Sequence, residues 1–280
     1  MSREIFRFGH EAMATHFQLL LPHEDKLLAN GAAQAVFNDI DQLERELSRF
    51  VPYSDIATLN RANVDEAVQV QAACMDCLTF GKMVWESTQG AFDATIGPLF
   101  RLLCEPDGTP TKPSKAQRAA AAASVGFQHL EIDPEAMTVT KHAPGMSIDL
   151  GAIGKGYALD QAAITLRNDH QITDALLNAG DSTVLALGSM PGREGWQVRA
   201  GHEVVTLHDQ ALSGTGFQHK GAHIIDPRTH RAVDCSRQLR WSIALNATLA
   251  DALSTAFMVM TQQEITAFLT NHLECRALMS

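Results

Sequence analysis

Two periods run through the apolar positions of this chain. Residues 3–8 and 16–21 follow the short period of strands. Val36, Ile40, Leu43, Leu47 and Phe50 recur at spacings of four and three, one face of a long helix that Pro52 ends. Met13-Ala14-Thr15 links the two strands. Ser54 or Asp55 caps a short turn toward Leu59-Asn60, and a second helix spans 72–88. The stretches 90–98 and 105–113, punctuated by Gly and Pro, read as loops. Ser114 caps an alanine-rich helix that stops before Gly126, and strands at 128–133 and 137–142 form a hairpin.

Further along, Met146–Leu150 reads as a buried strand broken by Gly151-Ala-Ile-Gly-Lys-Gly156, with a helix over 157–167. Strands are expected at 174–178, 183–187, 195–200, 203–208, 221–225 and 239–245, helices at 249–260 and 262–272, and a last strand at 274–278. Strands and helices alternate irregularly, with several hairpins. That order predicts an α+β fold of mixed, mostly antiparallel sheets with packed helices, not a doubly wound parallel sheet. No repeat or flexible linker divides residues 1–280, so the chain is expected to form one domain or two intimate lobes.

Composition narrows the function classes. Hydrophobic residues make up 45% and charged residues 19% of 280, which excludes a disordered or fibrous chain. With 22 Lys+Arg against 32 Asp+Glu, the formal net charge of −10 argues against nucleic-acid binding. No apolar run reaches the roughly 18 residues of a membrane span. The first residues lack the apolar core of a secretion signal, so a cytoplasmic location is expected. Five scattered cysteines make a poor disulfide framework, and Cys74-Met-Asp-Cys77 lies within a helical pattern, where core cysteines outweigh redox chemistry.

Four segments could carry chemistry. The glycines of 151–156, between a strand and a helix, let backbone N–H groups approach phosphate, although the spacing matches neither a P-loop nor a dinucleotide fingerprint. Asp149 stands beside that loop as an acceptor or a turn cap. Asp251 and Thr255 are four apart on one helix face, with Cα atoms about 6 Å apart. A carboxylate and a hydroxyl are hard ligands suited to Mg²⁺, or else helix-end and packing residues. His223 opens a segment ending in Asp-Pro and is a candidate base or a structural histidine. Phe92 beside Asp93 suits an aromatic heterocycle, unless the ring is simply buried. Together the four suit a nucleotide or dinucleotide.

Seven motifs in order sharpen this reading. They are Met13-Ala-Thr15, Ser48–Asn60 (SRFVPYSDIATLN), Gly90–Leu99 (GAFDATIGPL), Ile148–Asp160 (IDLGAIGKGYALD), Ser213-Gly214, His223–Thr229 (HIIDPRT) and Ala250–Ala256 (ADALSTA). The series resembles the FAD:protein FMN transferase family, the ApbE-type flavin transferases, over nearly the whole chain. The resemblance implies a T-fold-like two-lobed architecture. It also implies an Mg²⁺-dependent enzyme that splits FAD, transfers FMN to a Thr or Ser hydroxyl of a target flavoprotein and releases AMP. Carried over by position, Met13, Phe50, Ala91, Phe92 and Asp93 would line the flavin and nucleotide pocket, Asp149 and Lys155 would contact FAD, and Ile225 would pack on the ligand. The Ala152 carbonyl, Asp251, Thr255 and Ser254 would hold Mg²⁺, and His223 would be the base. An FAD diphosphatase and a non-catalytic FAD-binding protein are the alternatives. The chain departs from the family pattern at Ala14, Asp181, His230 and Thr261.

Overall fold

The computed structural model describes residues 3–105, 109, 111–180, 182–216, 224–234 and 239–279. His223, Asp181 and Cys235 lie outside them, as do three of the five residues of the strand expected at 221–225. The chain opens with two nine-residue strands, β1 (Glu4–Ala12) and β2 (Thr15–His23), paired antiparallel with Ala12 opposite Thr15. The two-residue turn between them puts Met13 at φ 50° and Ala14 at φ 55°. Two left-handed residues match the twist of a tight hairpin, so this stretch is a strained turn and not a plain linker. Helix α1 (Lys26–Leu47) follows, capped by Asp25, and buries Val36, Ile40, Leu43 and Leu47 as their spacing predicts. Phe50 departs from that prediction. The helix stops at Leu47, and the ring of Phe50 is 78% exposed on the loop beyond.

Ser54 caps a true helix, α2 (Asp55–Arg61), longer than the expected turn. Strand β3 (Ala67–Gln69) leads into α3 (Ala72–Ser87), where Cys74 and Cys77 are fully buried. Burial pushes both thiols up, away from the thiolate that redox chemistry needs. A short helix, α4 (Gly97–Leu103), has Pro98 in its first turn, where a missing N–H costs nothing. Helix α5 (Lys115–Ala122) begins with the expected Ser114 cap, closed by Gln117. Strands β4 (Leu130–Asp133) and β5 (Thr138–Lys141) join β3 in a three-stranded antiparallel sheet.

The stretch 146–150 is not a strand. Its one ladder contact is a parallel bridge from Ser147 to Ile96, and Asn60 holds it by bonding both the N–H and the carbonyl of Ile148. It reads as a strand because it is buried, and burial makes a loop as apolar as a central strand. Helix α6 (Gly154–Asn168) then starts inside the glycine run rather than after it.

Strands β6 (Ala175–Ala179), β7 (Thr183–Leu187), β8 (Trp196–Ala200), β9 (Glu203–Leu207) and β10 (Gln210–Thr215) come next. After the two-residue strands β11 (Ile225–Asp226) and β12 (Arg231–Ala232) come β13 (Arg240–Ala244), α7 (Ala247–Val259), α8 (Gln262–Asn271) and β14 (Arg276–Met279). The expected α+β class is what forms. Seven strands lie in the order β1-β2-β6-β7-β10-β13-β14, and every neighbouring pair is antiparallel.

The middle of the sheet is buried on both faces, and the strand period sorts its residues. Phe17, Leu19, Leu177, Leu185 and Ala211 face α1, α6 and α7 in a core that continues to Val68, Leu130 and Val139 of the small sheet. Leu20, Leu176, Ala186, Leu212 and Trp241 face the other way, against Trp196, Val198 and Leu207 of the β8–β9 hairpin. On the helix side one rung runs Ala179, Thr183, Ser213, Ser242 across four strands. Three hydroxyls on the inner face of a sheet are the polar exception to this pattern.

Candidate active site

Asp251 is the centre toward which these elements converge. It lies on α7 with its side chain 5% exposed. Thr183 Oγ1 donates to its Oδ1 at 3.1 Å and Ser213 Oγ at 3.4 Å; the Gly156 N–H donates to Oδ2 at 3.1 Å. The Lys155 ammonium lies 3.4 Å from Oδ2 and 3.5 Å from Oδ1, and donates to the Gly151 carbonyl at 3.1 Å. The first turn of α6 therefore aims the Gly156 N–H and the helix's positive end at a buried carboxylate.

Glycine makes that approach possible. A Cβ on Gly156 would stand 2.2 Å from the Ala247 carbonyl oxygen and 2.8 Å from Thr248 Cα. Asp160, one turn further along α6, fastens the same junction. It accepts from the N–H groups of Ala247 and Thr248 at 2.8 Å and from the Thr248 hydroxyl, so one helix caps the next. Burial pushes its carboxyl up against these stabilising bonds.

Ser254 and Thr255 stand one turn beyond Asp251 on the same face. Ser254 Oγ bonds Thr215 Oγ1 at 2.7 Å and Ser213 Oγ at 3.2 Å, and Thr255 Oγ1 lies 3.5 Å from Thr215 Oγ1. Ala152 belongs to the turn whose Gly151 carbonyl Lys155 holds. The donor set here is one carboxylate, several hydroxyls and backbone carbonyls. Among the described residues no three His, Cys, Asp or Glu side chains gather for a metal. Hard oxygens with little charge fit a hard divalent cation that draws its other ligands from elsewhere. A built-in ammonium resting on them is consistent with that fit.

Asp149 sits nearby, ending the buried loop. Its Oδ1 accepts the Gly151 N–H, and its Oδ2 is 3.4 Å from Arg49. Arg49 in turn lies over the rings of Phe50, at 4.5 Å, and Phe100, at 5.7 Å. Exposed Phe50 is thus tied through Arg49 to the loop that leads into α6.

Loop 90–96, cut short of the expected 90–98 because α4 takes Gly97 and Pro98, builds a second region. Asp93 Oδ1 accepts from the Thr95 N–H at 2.8 Å and hydroxyl at 2.6 Å, and Trp85 also donates to the carboxylate. Burial, only partly offset by these bonds, pushes its carboxyl up to about 6. A cavity of about 560 Å³ opens beside it, between Trp85, Gly90, Gln128, His129, Arg228 and His230. Arg228 is held by Asp226 and Glu264. Ala91 and Phe92 turn inward instead; the Phe92 ring is 2% exposed in the main core, so it offers no stacking face. Ile225 packs on Leu99, Leu103 and Val125. Met13 is partly buried against the main core.

Residues 13–279 match the ApbE family. The chain belongs to the ApbE family. Similar ApbE relatives include proteins named FAD:protein FMN transferase from Klebsiella pneumoniae, 27% identical over 89% of this chain and 77% of that one, and from Escherichia coli, with the same identity and coverage. The Salmonella typhimurium protein of that name is 29% identical over 76% of this chain and 67% of its own. The fold superimposes on a flavin transferase ApbE from Vibrio cholerae with a TM-score of 0.87, at 21% identity, over 99% of this chain and 93% of that one. An apo flavinyl transferase ApbE from Pseudomonas stutzeri gives 0.88 at 22% identity, over 100% and 94%.

In this ApbE chain, then, the structure gathers Lys155, Asp251, Ser254, Thr255 and the turn of Ala152 into one place. The Asp93 loop is joined to the Asp149 loop by the bond from the Asp149 N–H to the Ala94 carbonyl at 2.7 Å, Ile225 packs in a separate apolar cluster, and Ala91 and Phe92 are buried. Reading the sequence alone misses Thr183, Thr215, Ser242 and Asp160. A polar residue at an inward strand position is a legible signal for the first three, but only once β7, β10 and β13 are known to be neighbours.

Proposed function

We propose that this chain transfers the FMN moiety of FAD to a threonine or serine hydroxyl of a flavoprotein and releases AMP. The observation that carries the reading is the buried Asp251 carboxylate, facing both the start of α6 and the hydroxyls of β7 and β10. Its family supplies the substrate: the relatives are named for FAD and FMN transfer to protein.

Asp251, Ser254, Thr255 and the Ala152 carbonyl would hold Mg²⁺. The cation, when bound, supplies charge neutralisation on the diphosphate and so a better leaving group. The rest falls to the protein's own side chains. Lys155, freed from Asp251, pairs with a phosphate oxygen, and the N–H groups opening α6 favour the same charge. Asp149, steadied by Arg49 and Gly151, would contact the flavin end of the ligand, together with exposed Phe50, Met13, and the Asp93 loop with Ile225. His223 takes the proton from the acceptor hydroxyl. The new bond joins that oxygen to the phosphorus of FMN, and the bond from this phosphorus to AMP breaks. Positioning and charge account for most of such a transfer. No helix among the described residues is long and apolar enough to cross a membrane.

The test incubates the protein with FAD, Mg²⁺ and a threonine-containing flavoprotein acceptor, and follows acceptor mass and AMP. An FMN adduct and AMP in equal amounts, abolished by EDTA and reduced roughly 10³-fold in Asp251→Asn, are expected. AMP without an adduct would make the protein a diphosphatase. Bound FAD without AMP would leave only a flavin-binding protein.

A further inference from the structure

Ile148 stands just ahead of Asp149 and is 1% exposed, so its backbone N–H and carbonyl need partners inside the protein. The segment 146–150 joins no ladder apart from the Ser147–Ile96 bridge. One side chain supplies what a neighbouring strand would. Asn60 Oδ1 accepts the Ile148 N–H at 2.7 Å, and Asn60 Nδ2 donates to the Ile148 carbonyl at 2.9 Å. A carboxamide can do this because it carries an acceptor and a donor side by side, as a peptide group does.

Asn60 is itself fixed. It lies in the last turn of α2, whose start Ser54 caps. The buried Lys141 ammonium donates to its carbonyl at 3.2 Å, at the negative end of that helix. Asparagine is among the poorer helix formers, so α2 carries it there against propensity. Asp149 is the first residue past the clamp. Its N–H donates to the Ala94 carbonyl at 2.7 Å, and its carboxylate meets Gly151 and Arg49. The start of α6 has a separate anchorage, since Gly156 and Asp160 fasten it to α7.

We propose that Asn60 is a positioning residue that places the Asp149 carboxylate for the flavin end of FAD. It acts through Asp149, by holding the backbone from which that side chain springs. The proposal rests on the reading of Asp149 as an FAD contact.

Equilibrium dialysis of FAD and of ADP against the full chain compares wild type, Asn60→Leu, Asp149→Ala and the double variant, while Tm reports folding. Asn60→Leu removes both bonds with little change of volume. Asn60→Asp keeps the shape and one acceptor but sets an oxygen against the Ile148 carbonyl, and it serves if the leucine variant does not fold. Asn60→Leu is expected to raise Kd for FAD about 10- to 100-fold, the scale of one hydrogen bond to a charged group. Kd for ADP, which has no flavin end, should be nearly unchanged. In the Asp149→Ala background the same change should cost little more, because the group it places is gone. Losses that add in the double variant, losses equal for FAD and ADP, or a lower Tm with FAD affinity intact would reduce Asn60 to packing and overturn the proposal. Asp149→Ala with wild-type FAD affinity would instead remove the reading of Asp149 on which it rests.

Discussion

Replacing Gly156 by alanine sets two effects against each other. Alanine is the better helix former by about 1 kcal/mol, and Gly156 lies within α6, so propensity alone favours the change. The added Cβ would meet the Ala247 carbonyl oxygen at 2.2 Å, its carbon at 2.6 Å and Thr248 Cα at 2.8 Å. All three are backbone atoms at the start of α7, so no side chain can swing aside. Restoring ordinary contact requires the two helices to part by about 1 Å. Forced packing of this kind costs roughly 3 kcal/mol at the upper end of its range, so the clash wins by about 2 kcal/mol. For a chain of this length that lowers Tm by about 4 °C. The same displacement carries the Gly156 N–H and Lys155 away from Asp251, and a misplacement of about 1 Å can cost 10²-fold in rate. Calorimetry with a flavinylation assay reads both. A Gly156→Ala protein with unchanged Tm and rate would show that the helices do not need this contact to hold Asp251.

Three further substitutions probe other links. Ala14→Gly should raise stability by about 0.5–1 kcal/mol, read as a higher midpoint in urea, because Ala14 holds φ 55° at the tip of the β1–β2 hairpin. Asp93→Asn should change the pH dependence of stability. The folded carboxyl is raised to about 6, above its unfolded value, so its contribution is present in acid and is lost as pH rises from about 4 through 6. Over that interval Tm of the variant should gain on wild type by the equivalent of up to about 3 kcal/mol; parallel Tm curves would contradict the assignment. Lys155→Met should raise Mn²⁺ affinity in the absence of nucleotide, since the ammonium no longer rests on Asp251, while raising KM for FAD. A fall in both affinities would mean that Lys155 merely props the site.

Much of the site was legible as residue types at helical and loop spacings. Asp251, Ser254 and Thr255 had to share a face because α7 turns every 3.6 residues, and the 151–156 glycines had to allow a close approach of something. The long amphipathic helix, the α5 cap and most strands of the large sheet follow from local pattern in the same way. Fully buried segments do not, since burial erases periodicity: 146–150 is as apolar as a strand yet is a loop pinned by Asn60. The short elements β3 and α4 gave too little pattern to count, β10 runs into Ser, Gly and Thr with no apolar alternation, and no spacing reveals that Phe50 leaves its helix.

Sequence by itself determined the chemistry available, namely one carboxylate, two hydroxyls and a lysine, and the helix and loop that bear them. Only the tertiary structure decided what surrounds them. Strand order put Thr183 and Ser213 on one rung beneath Asp251, and helix packing brought Gly156 and Lys155 against it. Those partners lie 38 to 96 residues away along the chain. Contacts of that range are set by which faces pack together, and local sequence carries no record of its distant neighbours.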